Sequence, residues 1–307
     1  MVRNGVFMSS ACALILTLSG CGGGAGSGGA LVSTPSPPPP TPPPPPPPPP
    51  APTPRPFGVT TSQQFATSGV IAGFADGQGR RQPVSAPADA VEFSWSESAA
   101  AYEMRVPGAS KVTLGHVSAS TYEAPDGKGS KFVVSIPDKP SSELQLSYTS
   151  YASWYLQTGP SSTAEAGVFA FGIPSAASEV PTTGSGTYAA QVIGDNGSGY
   201  WITGQAQLVF DFGAGSLTGH MQPKAVDGWG IEWPLGRYDF TQTVFGKGST
   251  SFSGKFAVSG STASSFFEGR FTGPAAAELM ARWSAPFKDP YGETWSTMQG
   301  IWIGKRQ

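Results

Sequence analysis

From residue 186 onward apolar side chains recur at every second position. In AQLVFDF, Ala206, Leu208, Phe210 and Phe212 fall on one side of an extended chain and Gln207, Val209 and Asp211 on the other, the period of a half-buried strand. The same period runs through Phe252, Gly254, Phe256 and Val258, through Phe267, Gly269 and Phe271, and through Met298, Gly300, Trp302 and Gly304. Alternation of a large residue with glycine suits the tapering interior of a small barrel. GDNGSG (Gly194 to Gly199), FGAGS (Phe212 to Ser216) and FGKGS (Phe245 to Ser249) carry hairpin-turn chemistry between these runs, so consecutive strands are expected to be antiparallel neighbours.

This pattern predicts eight strands: Thr187 to Ile193, Tyr200 to Phe212, Gly215 to Gln222, Arg237 to Phe245, Thr250 to Ser259, Ser264 to Thr272, Ala281 to Phe287 and Thr297 to Lys305. Eight strands can close an up-and-down antiparallel β-barrel that its own side chains fill, and closure leaves no exposed edge. In GPAAAELMARW, Pro274 occupies a position that tolerates proline and Ala275 to Met280 are good helix formers, which predicts one short helix inside the meander. Upstream, shorter alternating pieces at Val91 to Trp95, Tyr102 to Val106, Phe132 to Ile136 and Leu144 to Tyr148, followed by GVFAFGIP (Gly167 to Pro174), predict a smaller β region, with a boundary near Ala176. The fold class expected is all-β.

The first 56 residues are different in kind. Arg3 is the only charge before an apolar run from Ala11 to Leu18; that run is too short to span a bilayer and has the form of a secretory signal peptide. Leu18, Ser19, Gly20 and Cys21 resemble the lipobox of bacterial lipoproteins. The resemblance implies cleavage before Cys21 and acylation of its sulfur, with each buried methylene of the acyl chains contributing about 0.8 kcal/mol to membrane anchoring. The only other cysteine, Cys12, lies inside the segment to be removed, which leaves Cys21 no disulfide partner. Gly22 to Ala30 carries almost no side chains to order, and Pro35 to Pro56 holds 17 prolines in 22 residues. Such a run lacks backbone donors, favours polyproline II and would reach roughly 70 Å. The expected organisation is therefore a lipoprotein signal peptide over 1–20, a lipidated cysteine with Gly-rich and Pro-rich linker over 21–56, a smaller β domain over 57–175 and a barrel over 176–307.

Phe57 to Gln307 holds every tryptophan, no cysteine, and 16 basic against 20 acidic residues without a basic cluster. Nucleic acid is therefore not an expected partner. Glycine makes up 33 of these 251 residues, about twice the usual level, which agrees with many turns and short strands.

Four phrases together carry a family resemblance: GQAQLVFDFGAGSLTG (Gly204 to Gly219), FSGKF (Phe252 to Phe256), FFEGRFTGPAAAEL (Phe266 to Leu279) and the terminal GIWIGKR (Gly300 to Arg306). In this order they resemble the barrel domain of transferrin-binding protein B and its relatives. PTTGSGTY (Pro181 to Tyr188) resembles the entry into that barrel, and Phe57 to Ser175 resembles the family's handle domain. One handle and one barrel are present, where transferrin-binding protein B has two of each. The resemblance implies an outer-membrane surface lipoprotein, exported by a surface-lipoprotein translocon, that captures an iron source and hands it to a TonB-dependent transporter. An adhesin or host-factor binder with no nutrient role shares the same anchor, spacer and barrel.

Catalytic constellations are not apparent: no HExxH, GxSxG or P-loop occurs, and no pair of carboxylates is distinguished by sequence. No enzymatic activity or resident cofactor is expected. Candidate binding residues sit where loops meet aromatic rings. PKAVDGWGIEWPLG (Pro223 to Gly236) is the longest barrel connection and carries Trp229, Glu232 and Trp233. Exposed rings there would anchor an interface; the alternative is that both tryptophans fold back over the barrel end. Tyr200 and Trp201 follow the GDNGSG turn and either join this surface or simply begin a strand. His220 is the only barrel histidine and His116 its counterpart upstream. Some single-barrel relatives bind haem, and imidazole is a common axial ligand; His220, placed near a barrel mouth, is the candidate haem or metal ligand.

Overall fold

The computed structural model describes residues 59–307 except positions 60, 76–79, 85–89, 119, 160–161 and 293. The signal peptide, Cys21 and the Gly-rich and Pro-rich linker lie outside the described residues.

The chain begins with β1 (Gln63–Ala75), β2 (Arg80–Val84), β3 (Glu92–Ser96), β4 (Ala101–Arg105), β5 (Val112–Ser118), β6 (Thr121–Pro125), β7 (Lys131–Ser135), β8 (Thr149–Gly159) and β9 (Ser162–Gly172). Neighbours pair antiparallel from β3 through to β9. β1 then pairs with both β3 and β9, which closes eight strands into a ring with β2 laid against β1. The smaller region expected upstream is thus itself a barrel. Its core is aromatic: Phe93 stacks on Tyr102 at 5.1 Å and meets Phe169 and Phe171 edge-on or tilted.

Residues 173–184, with a single 3₁₀ turn at Ala177–Glu179, lead into the second ring. It comprises β10 (Ser185–Asp195), β11 (Trp201–Asp211), β12 (Ser216–Val226), β13 (Glu232–Pro234), β14 (Tyr238–Val244), β15 (Ser251–Ala257), β16 (Phe266–Thr272), β17 (Glu278–Lys288) and β18 (Trp295–Arg306). β10 pairs with β11 and β18, and β11 with β12, so eight strands close with the three-residue β13 appended to β12. The predicted strands are present with shifted ends, and the closed eight-stranded antiparallel barrel is the expected one.

Alternation fills the interior. Along β10 the odd and even positions separate cleanly, with Tyr188, Ala190 and Val192 inside. Large rings sit opposite glycines: Phe252 faces Gly269 and Phe267 faces Gly254 across β15 and β16. Any Cβ at either glycine would fall inside the partner's ring. Two of the buried aromatics find backbone acceptors, Tyr238 Oη donating to the Pro286 carbonyl at 2.9 Å and Trp283 Nε1 to that of Ile301 at 3.0 Å, whereas the buried Nε1 groups of Trp154 and Trp302 have no partner among the described residues.

Two expectations are corrected. The helix predicted over 275–280 is one 3₁₀ turn, Pro274–Ala276, after which Glu278 opens β17. Leu279 and Ala281 fill the barrel while Met280 packs outward; burial of both faces of an extended strand outweighs a helix propensity worth only tenths of a kcal/mol per residue. Leu144 to Tyr148 is no strand either. Its backbone groups bond to side chains of the second barrel instead of a ladder: the Ser147 and Tyr148 N–H groups donate to the Glu278 carboxylate at 2.6 and 3.0 Å, and Lys305 Nζ donates to the Gln145 carbonyl.

The two barrels pack wall to wall. Met280, Ile301 and Ile303, on the outer face of β17 and β18, meet Ala170, Leu146, Tyr151 and Val168. At the end of β16 the contact continues through polar groups, Ser175 Oγ donating to the Gly273 carbonyl and the Ile173 carbonyl accepting the Gly273 N–H.

Candidate functional site

The register places the aromatic candidates at the opposite end of the second barrel from this polar joint. Trp201 pairs with both Asp195 and Val226, and Lys288 pairs with Trp295. The connections 196–200, 227–231 and 289–294 therefore share one rim.

Each connection is built by carboxylate or amide oxygens that accept backbone N–H groups, the reason Asp and Asn favour such turns. Asn196 Oδ1 accepts from Ser198 and Tyr200 at 2.9 and 3.1 Å, which delivers Tyr200 and Trp201 to the start of β11. Asp227 Oδ1 accepts from Trp229 and Ile231, both at 2.9 Å. Asp289 Oδ1 accepts from Tyr291 at 2.9 Å. Two further bonds tie the turns together: Tyr291 Oη donates to Asp227 Oδ2 at 3.5 Å and Tyr200 Oη to Asp289 Oδ1 at 3.4 Å. Burial, and then the Asp289 carboxylate, raise the Tyr200 phenol above its ordinary pKa, so it remains a donor at neutral pH.

The two tryptophans of the long connection part company. Trp229 stands 90 % exposed at the tip of its turn. Trp233, on β13, folds back against the barrel core and meets the Tyr291 ring edge-on at 4.9 Å. Trp201 begins β11, as the second reading of its position expected, yet it is 63 % exposed and lies on the same rim. Tyr200 is half-buried against Phe287 at 5.5 Å. Glu232 does not join the rings; it pairs with Lys224 at 2.9 Å on the outer wall. Sequence reasoning missed Ile231, Tyr291 and Trp295 as exposed apolar groups of this rim. The signal available was DPYGETW, Asp289 to Trp295, where turn dipeptides carry aromatic residues between two apolar runs.

His220 is not part of the rim. It sits on the outer face of β12, six residues before Val226, roughly 20 Å along the strand at its usual rise. Its cross-strand neighbours are Gln207 and Asp239. Partial burial and the Arg237 guanidinium lower the imidazole pKa, against the opposing pull of Asp239 and of a hydrogen bond with the Gln222 side chain, which favours the neutral ring. The cleft beside it measures about 240 Å³, below the range of about 300–1,000 Å³ typical of small-molecule sites. His116, on β5, packs against Tyr122 at 5.1 Å. Among the described residues no three His, Cys, Asp or Glu side chains form a metal-holding group.

No family model matches the chain, and no curated protein matches it. Among solved structures it is similar to the transferrin-binding protein B vaccine antigen of Haemophilus parasuis Hp5, a Tyr-to-Ala and Trp-to-Ala double mutant, at 18 % identity and a TM-score of 0.44 over 79 % of this chain and 45 % of that one. It is similar to intact Ap transferrin-binding protein B with its N and C lobes, at 18 % identity and 0.44 over 79 % and 46 %. The isotype 1 protein from serogroup B Neisseria meningitidis gives 17 % identity and 0.39 over 79 % and 44 %. The chain spans about half the length of these structures.

Proposed function

We propose that this chain is a lipid-anchored outer-membrane protein, facing the cell exterior, that binds an extracellular iron-bearing protein through the aromatic rim of its second barrel. The observation that carries the reading is Trp229, exposed on a turn whose backbone is fixed by Asp227. A large ring carried on a turn whose backbone is already ordered costs little backbone entropy on binding, and buried tryptophans commonly dominate interface energies. Trp201, Ile231 and Tyr291 widen the surface around it. The lipobox at Cys21 and the proline-rich spacer support display at a distance from the membrane. The resemblance to transferrin-binding protein B supports an iron source as cargo, passed to a TonB-dependent transporter after export by a translocon.

Haem is the second ligand class, favoured by the imidazole of His220, whose surroundings keep it neutral. Residues near it supply one nitrogen donor and a shallow cleft, so haem would rest against the wall of the barrel.

The test is binding of the full-length protein to a panel of iron-loaded and iron-free host proteins by interferometry, with a haem titration by absorbance in parallel. Saturable binding of an iron-bearing protein, weakened by about 2 kcal/mol or more in Trp229→Ala, is the expected result. A Soret change lost in His220→Ala would install the haem reading. Binding only to host proteins without iron would replace both with an adhesin or host-factor role.

A further inference from the structure

A second feature of the same rim has the dimensions of a ligand site. A cleft of about 590 Å³ opens between residues 233–238, 258–260, 288–290, 292 and 295, within the range of small-molecule sites. Two indoles line it. Trp233 is wedged between the barrel core and the Tyr291 ring. Trp295 is 39 % exposed, and its ring lies against Gly260, where a Cβ would stand 3.7 Å from it. Gly260 has φ of +78°, a conformation that favours glycine and so keeps the loop close under the ring. The floor includes Tyr238, whose hydroxyl is turned away to the Pro286 carbonyl.

Polar groups of both kinds stand beside the indoles: Arg237, Lys288, Asp289 and Ser259. Arg237 is fixed in place by Nε donating to Asp239 Oδ1 at 2.6 Å, and a guanidinium keeps further N–H donors once one is used. Asp289 is held by the Tyr291 N–H and the Tyr200 hydroxyl. These side chains are therefore preorganised by neighbours outside the cleft.

The combination restricts the ligand. A small inorganic cation would face the Arg237 and Lys288 charges, a small anion gains nothing from indole faces, and a guanidinium, an ammonium and a carboxylate together would be desolvated at a cost by a hydrocarbon. A pyranose satisfies both halves. Its C–H face is apolar and packs on an indole, while its hydroxyls donate to a carboxylate and accept from a guanidinium or an ammonium. We infer that the cleft between Trp233 and Trp295 binds carbohydrate, as the exposed end of an extracellular glycan. The inference rests on the residues of the cleft and does not require that the protein ligand carry iron.

The experiment applies full-length protein to an array of neutral and acidic glycans, followed by calorimetric titration with the strongest binder. The detergent must have no sugar head group, because such a head group would compete. Saturable binding is expected, weakened about tenfold or more in Trp295→Ala and in Arg237→Gln and unchanged in Val117→Ser on the first barrel. Absence of any glycan above background would overturn the inference, as would binding of equal strength in both cleft variants. Arg237 lies on the exposed surface, so its variant remains informative if Trp295→Ala fails to fold. Glycan binding without an iron-bearing protein ligand would uphold this inference and remove the proposed iron role. An iron-protein ligand with no glycan bound would do the reverse.

Discussion

Asp227 and Tyr291 lie on different connections of the second barrel and are joined through one carboxylate: Oδ1 fixes the turn that carries Trp229, and Oδ2 accepts the Tyr291 hydroxyl. The backbone that carries the exposed ring is thereby coupled to the neighbouring loop, and the path of the turn is set before any partner arrives. Replacing Asp227 by Ala removes two backbone acceptor bonds, each worth about 0.5–1.5 kcal/mol. Hydrogen exchange of the Trp229 and Ile231 amides should then rise by roughly threefold to tenfold per bond lost, with the global melting temperature little changed. Asp227→Asn keeps an amide oxygen in the Oδ1 position and should exchange close to the native rate. Equal protection in Asp227→Ala would show that the turn is held by something else.

The reciprocal Gly254–Phe267 and Gly269–Phe252 pairs predict a strong asymmetry in the core. Gly254→Ala places a methyl group inside the space of the Phe267 ring, and overpacking of this kind costs about 1–3 kcal/mol. Gly254→Ala combined with Phe267→Leu frees that space. The double variant should lose less stability than the sum of the two single changes, because the residues are in contact and their effects are coupled. Urea denaturation of the four proteins measures the coupling; strict additivity would mean that the ring moves aside at no cost.

The inward-facing positions of these four residues were legible in the sequence because alternation reports directly on which side of a strand faces the core, whereas their pairing needed the register of β15 on β16. The start of β17, Glu278 to Met280, was not legible. Ten of the eleven residues of β17 are buried to some degree on both faces, since one face fills its own barrel and the other meets the first barrel, so no period of two survives and the alanine-rich start reads as helix. Leu144 to Tyr148 misled for the complementary reason: its alternation is real, but its hydrogen-bond partners are side chains 130 residues away. At the rim, Trp229 was singled out as a candidate from its neighbours in sequence, with its exposure left open. Tyr291 and Trp295 were not, because only the closure of β18 on β10 and β17 brings their connection beside the Trp229 turn.

The apolar joint has a mechanical consequence. Met280 and Ile301 are fully buried on the outer wall of the second barrel against Ala170 of the first, so the two closed cores are expected to unfold in a single calorimetric transition. Met280→Asp puts an unpaired charge into that contact while leaving both interiors untouched. The single transition should separate into two, the second barrel retaining its own melting temperature to within a few degrees. A lone transition displaced to lower temperature would indicate instead that the barrels do not hold their folds apart from each other.

Glu278 lies at the polar edge of the same joint, 1 % exposed. Burial raises its pKa above the ordinary carboxylate value, while the N–H groups of Ser147 and Tyr148, the Thr149 side chain and the Lys305 ammonium draw it back in part. The native state therefore binds a proton more readily than the unfolded chain. Linkage gives the sign: the contribution of this group is fully present below the unfolded value near 4.5 and is lost as pH rises through the higher native value. Glu278→Gln cannot titrate, and it turns an amide N–H₂ toward one of two backbone donors, leaving a part-buried N–H without an acceptor at a cost of about 1–3 kcal/mol. The stability difference between the native protein and Glu278→Gln should thus be smallest at neutral pH and grow as pH falls toward 4.5, all other carboxylates cancelling between the two. Urea titrations of both proteins at intervals across that window measure the difference. A gap that shrinks on acidification would mean that the carboxylate is better stabilised in the joint than in water, its N–H donors outweighing its burial, and a constant gap that the two effects cancel; either would overturn the prediction.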